Sequence, residues 1–144
     1  MQHAQPAAME PFPQSLLKPR HAILSGEPHN ASLEVLLAPF YWQDALVDTS
    51  IRLDGIDLPS LHLSALAGKS FSFPVNPDAG AIDGSLYLEN AHHPVDITSL
   101  AFLPSRSGGL KVMMKGIYVF AFEGTTPLEN TAFVMTVPVS SCAV

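Results

Sequence analysis

Apolar and polar residues alternate with a period of two along most of this chain. Leu33, Val35 and Leu37 interleave with Ser32, Glu34 and Leu36, and Ile51 and Leu53 with Ser50, Arg52 and Asp54. The same spacing returns at Phe71 and Phe73, Leu86 and Leu88, Leu100 and Phe102, at Leu110, Val112 and Met114, and at Phe133, Met135 and Val137. Successive side chains of a strand point to opposite faces, so this alternation predicts half-buried β-strands. From Ile117 to Phe122 the chain is apolar at every position, which predicts a central strand covered on both sides. Gly116, just before it, marks a bulge or bend. The predicted core holds Leu86, Leu88, Leu100, Phe102, Ile117, Val119, Phe120 and Val137.

Turn-forming residues fall between these runs. Asn76-Pro77-Asp78-Ala79-Gly80 supplies a proline with φ pre-set and a glycine free to take positive φ. Ser105 to Gly109 reads as a hairpin loop, Glu123 to Pro127 ends the long apolar run, and Asp54-Gly55 and Asp83-Gly84 read as further turns. Connections this short pair strands antiparallel, because a parallel return needs about a dozen residues of crossover. Leu58 to Gly68 is open between two states: another strand, or a short helix near 59–67 capped by Ser60 and ended by Gly68. No other stretch combines helical periodicity with good helix formers, and 13 prolines are spread along the chain. The expected fold is all-β: an antiparallel β-sandwich, the favoured form, or a partly closed barrel, of about seven to nine strands. Residues 1–20, with Pro6, Pro11, Pro13 and Pro19, read as a proline-rich arm, open between two states: partly mobile, or lying against the core through Phe12, Leu16 and Leu17. Residues 21–144 read as a single β domain.

Composition narrows the partners. A chain of 144 residues can bury a real core. Its 47% hydrophobic and 14% charged residues exclude disorder as the dominant state. Seven Lys and Arg against 13 Asp and Glu give a formal charge of −6, which argues against nucleic acid as a partner. So few charges on so apolar a chain point to a covered surface, in a homodimer or with a constitutive protein partner. No run approaches the ~20 apolar residues that span a bilayer. The N-terminal residues lack a secretory apolar core, and one cysteine, Cys142, cannot close an intrachain disulfide. The expectation is a cytoplasmic protein with no membrane partner.

Two segments carry candidate chemistry. Glu89-Asn90-Ala91-His92-His93-Pro94-Val95-Asp96 packs imidazoles and carboxylates together, the ligand types of zinc and non-haem iron. Adjacent histidines on an extended backbone diverge, however, and Asp83, Asp48 and His62 are equal candidates for a third ligand. The segment therefore reads as a connecting loop that binds no metal, with Glu89, Asn90, His92, His93 and Asp96 as a binding surface. In Phe40-Tyr41-Trp42, a strand would put Phe40 and Trp42 on one face and Tyr41 on the other. One face is then core, and Tyr41 and Trp42 are candidates for sugar stacking or protein binding. Asp44, Asp48, Asp54 and Asp57 lack calcium-loop spacing and read as turn and surface carboxylates. No G-x-S-x-G elbow and no phosphate-binding glycine motif is present, and Cys142 lies in a terminal tail. No catalytic residue, metal or cofactor is assigned.

These features favour a non-catalytic protein-interaction module: a small acidic β-sandwich of the inhibitor or immunity type, meeting its partner by charge complementarity. Two alternatives stand beside it. One is a metal-binding protein or hydrolase built on His92, His93 and Asp96. The other is a carbohydrate-binding module built on Tyr41 and Trp42.

Overall fold

The alternating runs become strands, and the strands close into a barrel. The structure is a computed structural model that describes residues 10–11, 13–76, 78–88, 91–120 and 128–143, with 10–11 and 128–129 by backbone alone. In chain order the strands are β1 (Glu10–Pro11), β2 (Pro19–Glu27), β3 (Asn30–Leu37), β4 (Phe40–Trp42), β5 (Ala45–Val47) and β6 (Ser50–Ile56). They continue with β7 (Ser70–Ser72), β8 (Asp83–Leu88), β9 (Ala91–Pro104), β10 (Leu110–Tyr118), β11 (Leu128–Glu129) and β12 (Thr131–Ser141). A four-residue helix, α1 (Leu63–Leu66), resolves the segment that was open between strand and helix.

The wall runs β2-β3-β6-β8-β9-β10-β12, which is also the order along the chain. β9 pairs with both β8 and β10, and β12 pairs with β2, so the ring is complete. The all-β expectation holds, and of the two architectures the barrel is the one formed. An odd ring cannot alternate direction throughout, so one pair of neighbours has to run parallel. That pair, Ala22–Leu24 beside Val139–Ser141, lies where the first and last wall strands meet, and it departs from the antiparallel expectation. The ladder is short there. Pro13 and Pro19 on one side and Pro138 on the other have no N–H to give. Below it, the Gln14 side-chain amide donates to the Ala132 carbonyl at 3.2 Å and Leu17 is buried in the core. Phe12, expected beside Leu17, lies outside the described residues.

Local bulges bend the wall into a small ring. β2 has one extra residue between Pro19 and His21, β6 one between Leu53 and Ile56, and β9 one between Ile97 and Ser99. Each moves the buried face to the other set of alternating positions. On β6 the change falls at Gly55, whose φ is +69°, and it lets Ile51, Leu53 and Ile56 all point inward. Asp54-Gly55 is therefore a bulge inside a strand rather than a turn, and Asp83-Gly84 opens β8. On β9 the interior residues change from Val95 and Ile97 to Leu100 and Phe102. This bend lies at the level of Gly116, as expected, but the extra residue is Thr98 on the facing strand, and its hydroxyl donates to the Lys115 carbonyl at 3.1 Å. A Cβ on Gly116 would run into the Asp96 carbonyl and the Phe133 ring.

The core fills the ring. Val112, Met114, Tyr118 and Phe120 share the inward phase, so Phe120 is core as expected while Ile117 and Val119 are only half-buried. An unbroken apolar run hides its phase, so the sequence predicts both kinds inside and one strand through Phe122; β10 instead ends at Tyr118, and Ala121 and Phe122 lie outside the described residues. The end of the barrel with the β2–β3 turn is closed by Leu58, Leu61, Leu66 and Ile82 from the long β6–β8 connection. The opposite, lower end is closed by Leu17, Phe40, Val47 and Phe120. Among the described residues no helix is long and apolar enough to cross a membrane.

Candidate functional site

The β3–β6 connection projects at the lower end as a two-stranded hairpin, β4–β5. Its register pairs Phe40 with Val47, Tyr41 with Leu46 and Trp42 with Ala45. Paired residues share a face. Phe40 and Val47 therefore enter the core together, and Tyr41 and Leu46 turn outward together, 72% and 60% exposed. Trp42 is half-buried against the core. The turn is only Gln43-Asp44, with φ of +50° and +65°. Two left-handed residues match the twist of a tight hairpin, but glycine or asparagine ordinarily supplies them.

Beneath the hairpin lies an open cleft of ≈ 440 Å³ lined by Ala45, Leu46, Val47, Asp48, Thr49 and Tyr87. Tyr87 is on the outer face of β8, 52% exposed. Its register partner on β9 is His92, whose ring meets it edge to face at 5.1 Å. Tyr41 and His92 thus flank one surface, joined by Leu46, Asp48 and Tyr87. The sequence alone does not point to Leu46 or Tyr87, and it offers Asp48 as a surface carboxylate or a third metal ligand, not as part of this surface. The available signal was an apolar Ala45-Leu46-Val47 run too short for all of it to be core.

The His92–Asp96 segment is not a loop. Ala91–Pro104 is one continuous strand, because it pairs with β8 on one flank and β10 on the other. His92 and His93 therefore sit on opposite faces, His92 in solvent and His93 only 4% exposed with its ring 4.8 Å from Phe120. Asp96 shares the outer face with His92 but stands four residues along an extended strand, about 13 Å away. Glu89 and Asn90 lie outside the described residues. Among the described residues no three His, Cys, Asp or Glu side chains gather as metal ligands do.

The remaining candidates scatter. Asp54 accepts from Ser32 Oγ at 2.7 Å and Arg52 Nε at 3.3 Å, and Asp57 pairs with His29 Nδ1 at 2.7 Å at the other end of the barrel. His21 Nε2 lies 2.8 Å from Ser140 Oγ, a nucleophile–base distance, on the exposed outer face of the barrel. Cys142 is exposed. Inside the lower end, Tyr118 stacks on Phe133 at 4.1 Å, and burial pushes its phenol above the ordinary range. The chain matches no protein-family model, no curated protein and no solved structure.

Proposed function

We propose that this chain is a non-catalytic binding module that takes a protein partner on the surface formed by the β4–β5 hairpin and the outer face of β8. The observation that carries this reading is the pair Leu46 and Tyr87 lining one cleft, with Tyr41 beside Leu46 as its cross-strand partner, all three more than half exposed. Tyrosine is enriched at binding hot spots because it offers a large, stiff, amphipathic contact. Single exposed apolar residues are ordinary, but a contiguous set beside a cleft marks interaction surfaces. Core packing does not require this set: Phe40 and Val47 already anchor the hairpin. A chain with one cysteine suits a reducing compartment such as the cytoplasm.

The exposed Tyr41 ring also favours a second reading, a carbohydrate-binding module. Leu46 weighs against it. A branched aliphatic side chain has no flat face to stack on a sugar, whereas it fills a protein interface well.

A photo-reactive residue at position 46, used in extract of the source cells, tests the reading. One protein should be cross-linked, and Tyr87→Ala should abolish its capture while a probe at position 136 captures nothing. Capture that ignores Tyr87→Ala, or retention on polysaccharide lost with Tyr41→Ala, would overturn it.

A further inference from the structure

We infer that the group this surface takes from its partner is an arginine side chain, its stem along Leu46 and its guanidinium on the Tyr87 ring and the Asp48 carboxylate. This rests on the reading of the same surface as a binding face and names what it recognises.

Three chemistries meet here, and arginine satisfies all three. Leu46 offers exposed aliphatic surface of the kind that arginine and lysine stems cover. Tyr87 offers an aromatic ring, oriented by the edge-on contact with His92, and a planar guanidinium stacks on such a ring. Asp48, in the same cleft, offers a carboxylate that a guanidinium can meet with two parallel N–H groups. Asp44 at the hairpin tip adds to the negative field. From Ala38 to Thr49 these two aspartates are the only charged residues.

Asp54 is held by Arg52 and Ser32, and Asp57 by His29. Asp44 and Asp48, like Asp78, Asp83 and Asp96, have no ion pair and no side-chain hydrogen bond among the described residues, and of these five it is Asp48 that lines the cleft with Leu46 and Tyr87. Neither side is set up for a second copy of this chain, because docking two such surfaces would bring carboxylate against carboxylate in a protein already at −6. The complementary occupant is a basic segment of a different protein.

The probe is acetylated tetra-arginine amide, with its citrulline counterpart as a neutral, shape-matched control, titrated while the Leu46, Tyr87 and His92 signals are followed by NMR. Tetra-arginine should shift these signals and saturate, and citrulline should not. Asp44→Asn with Asp48→Asn should weaken binding roughly fivefold, the size expected of an exposed cation–π and ion-pair site. Asparagine tolerates the left-handed conformation at position 44, so the turn survives. Asp78→Asn with Asp83→Asn removes the same charge at the far end of the barrel and should leave affinity unchanged. Equal binding of citrulline, or equal weakening by the two double variants, would overturn the assignment. If tetra-arginine fails while capture from position 46 still depends on Tyr87, the arginine assignment alone falls. If that capture also ignores Tyr87, the binding face falls with it.

Discussion

Phe120→Ala and Val119→Ala, made separately, test the inward phase of the longest apolar run. Phe120 is fully buried at the lower end of the barrel. Its ring lies edge-on to His93, and its backbone N–H is held by the Asn130 side chain at 2.9 Å. A buried phenylalanine removes at least ~150 Å² from water, worth roughly 4 kcal/mol at ~25 cal/mol/Å². That lies within the ~3–5 kcal/mol seen for such truncations when the site cannot collapse. Collapse is difficult here, because closed sheet strands fix the ring's neighbours. Against a total stability of ~5–15 kcal/mol this is a large fraction, and it corresponds to a Tm about 10 °C lower for a chain of this length. Val119 is half-buried on the outer side, so its truncation should cost less than ~1 kcal/mol. Urea titration read by far-UV circular dichroism, and by the single tryptophan, Trp42, gives both values from the midpoint shift at constant slope. Equal losses, or a larger loss for Val119→Ala, would refute the inward phase carried from β10 into Phe120 and the closure of the lower end built on it.

Gly116→Ala should destabilise by at least ~1–3 kcal/mol, since the new methyl meets the Asp96 carbonyl and the Phe133 ring and neither yields without moving a wall strand; an unchanged urea midpoint would contradict the close approach of β9 and β10. Burial raises the folded-state pKa of Tyr118 above its unfolded value of ~10, so its contribution is whole below pH ~10 and is lost as pH rises through the folded value. Tyr118→Phe should flatten the alkaline decline in stability, and an unaltered decline would place its cause elsewhere. Zinc titration followed on the imidazole protons should show no saturation at micromolar concentration, because His92 and His93 face opposite sides of β9; a one-to-one endpoint abolished by His92→Ala would restore the metal-binding alternative.

Most of the wall was legible because burial imposes a period of two wherever one face is core. Leu33, Val35 and Leu37, or Phe133, Met135 and Val137, point inward as read, and the residues between them, Leu36 and Val134 included, are turned outward. What the alternation does not encode is curvature. A sandwich and a barrel share the same strand pattern; the bulges at Arg20, Gly55 and Thr98 help to separate them. Of these only Gly55 leaves a mark in the sequence, and that mark is equally that of a turn. The parallel seam was hidden for a related reason. It joins residues 22–24 to 139–141, and no local signal spans that separation. The histidine pair was misplaced because Pro94 and the polar residues before it suggest a loop, while the barrel needs a strand there. Pro94 is accommodated at a position paired with Ser85 at the margin of the β8–β9 ladder.

The outward face of the hairpin was hidden by a single turn without glycine. Leu46 and Val47 are neighbours of similar hydrophobicity with opposite fates, and only register distinguishes them. Register follows from the two-residue turn, which pairs Tyr41 with Leu46 and sends both outward. A search for glycine or Asn-Gly overlooks Gln43-Asp44. Forcing an L-residue into the left-handed region costs ~1–2 kcal/mol, and here Phe40 and Val47, locked in the core on the opposite face, hold the turn in place. Gln43→Gly should release that strain. Glycine's extra unfolded-state freedom returns ~0.5–1 kcal/mol, so the net expectation is a stabilisation of up to about 1 kcal/mol, read as a raised urea midpoint. The Tyr41 and Leu46 resonances should keep their cross-strand contact, since the register is unchanged. Destabilisation by more than ~1 kcal/mol, or loss of the Tyr41–Leu46 contact, would show that the turn does not set the register and that the aromatic surface is held by something else.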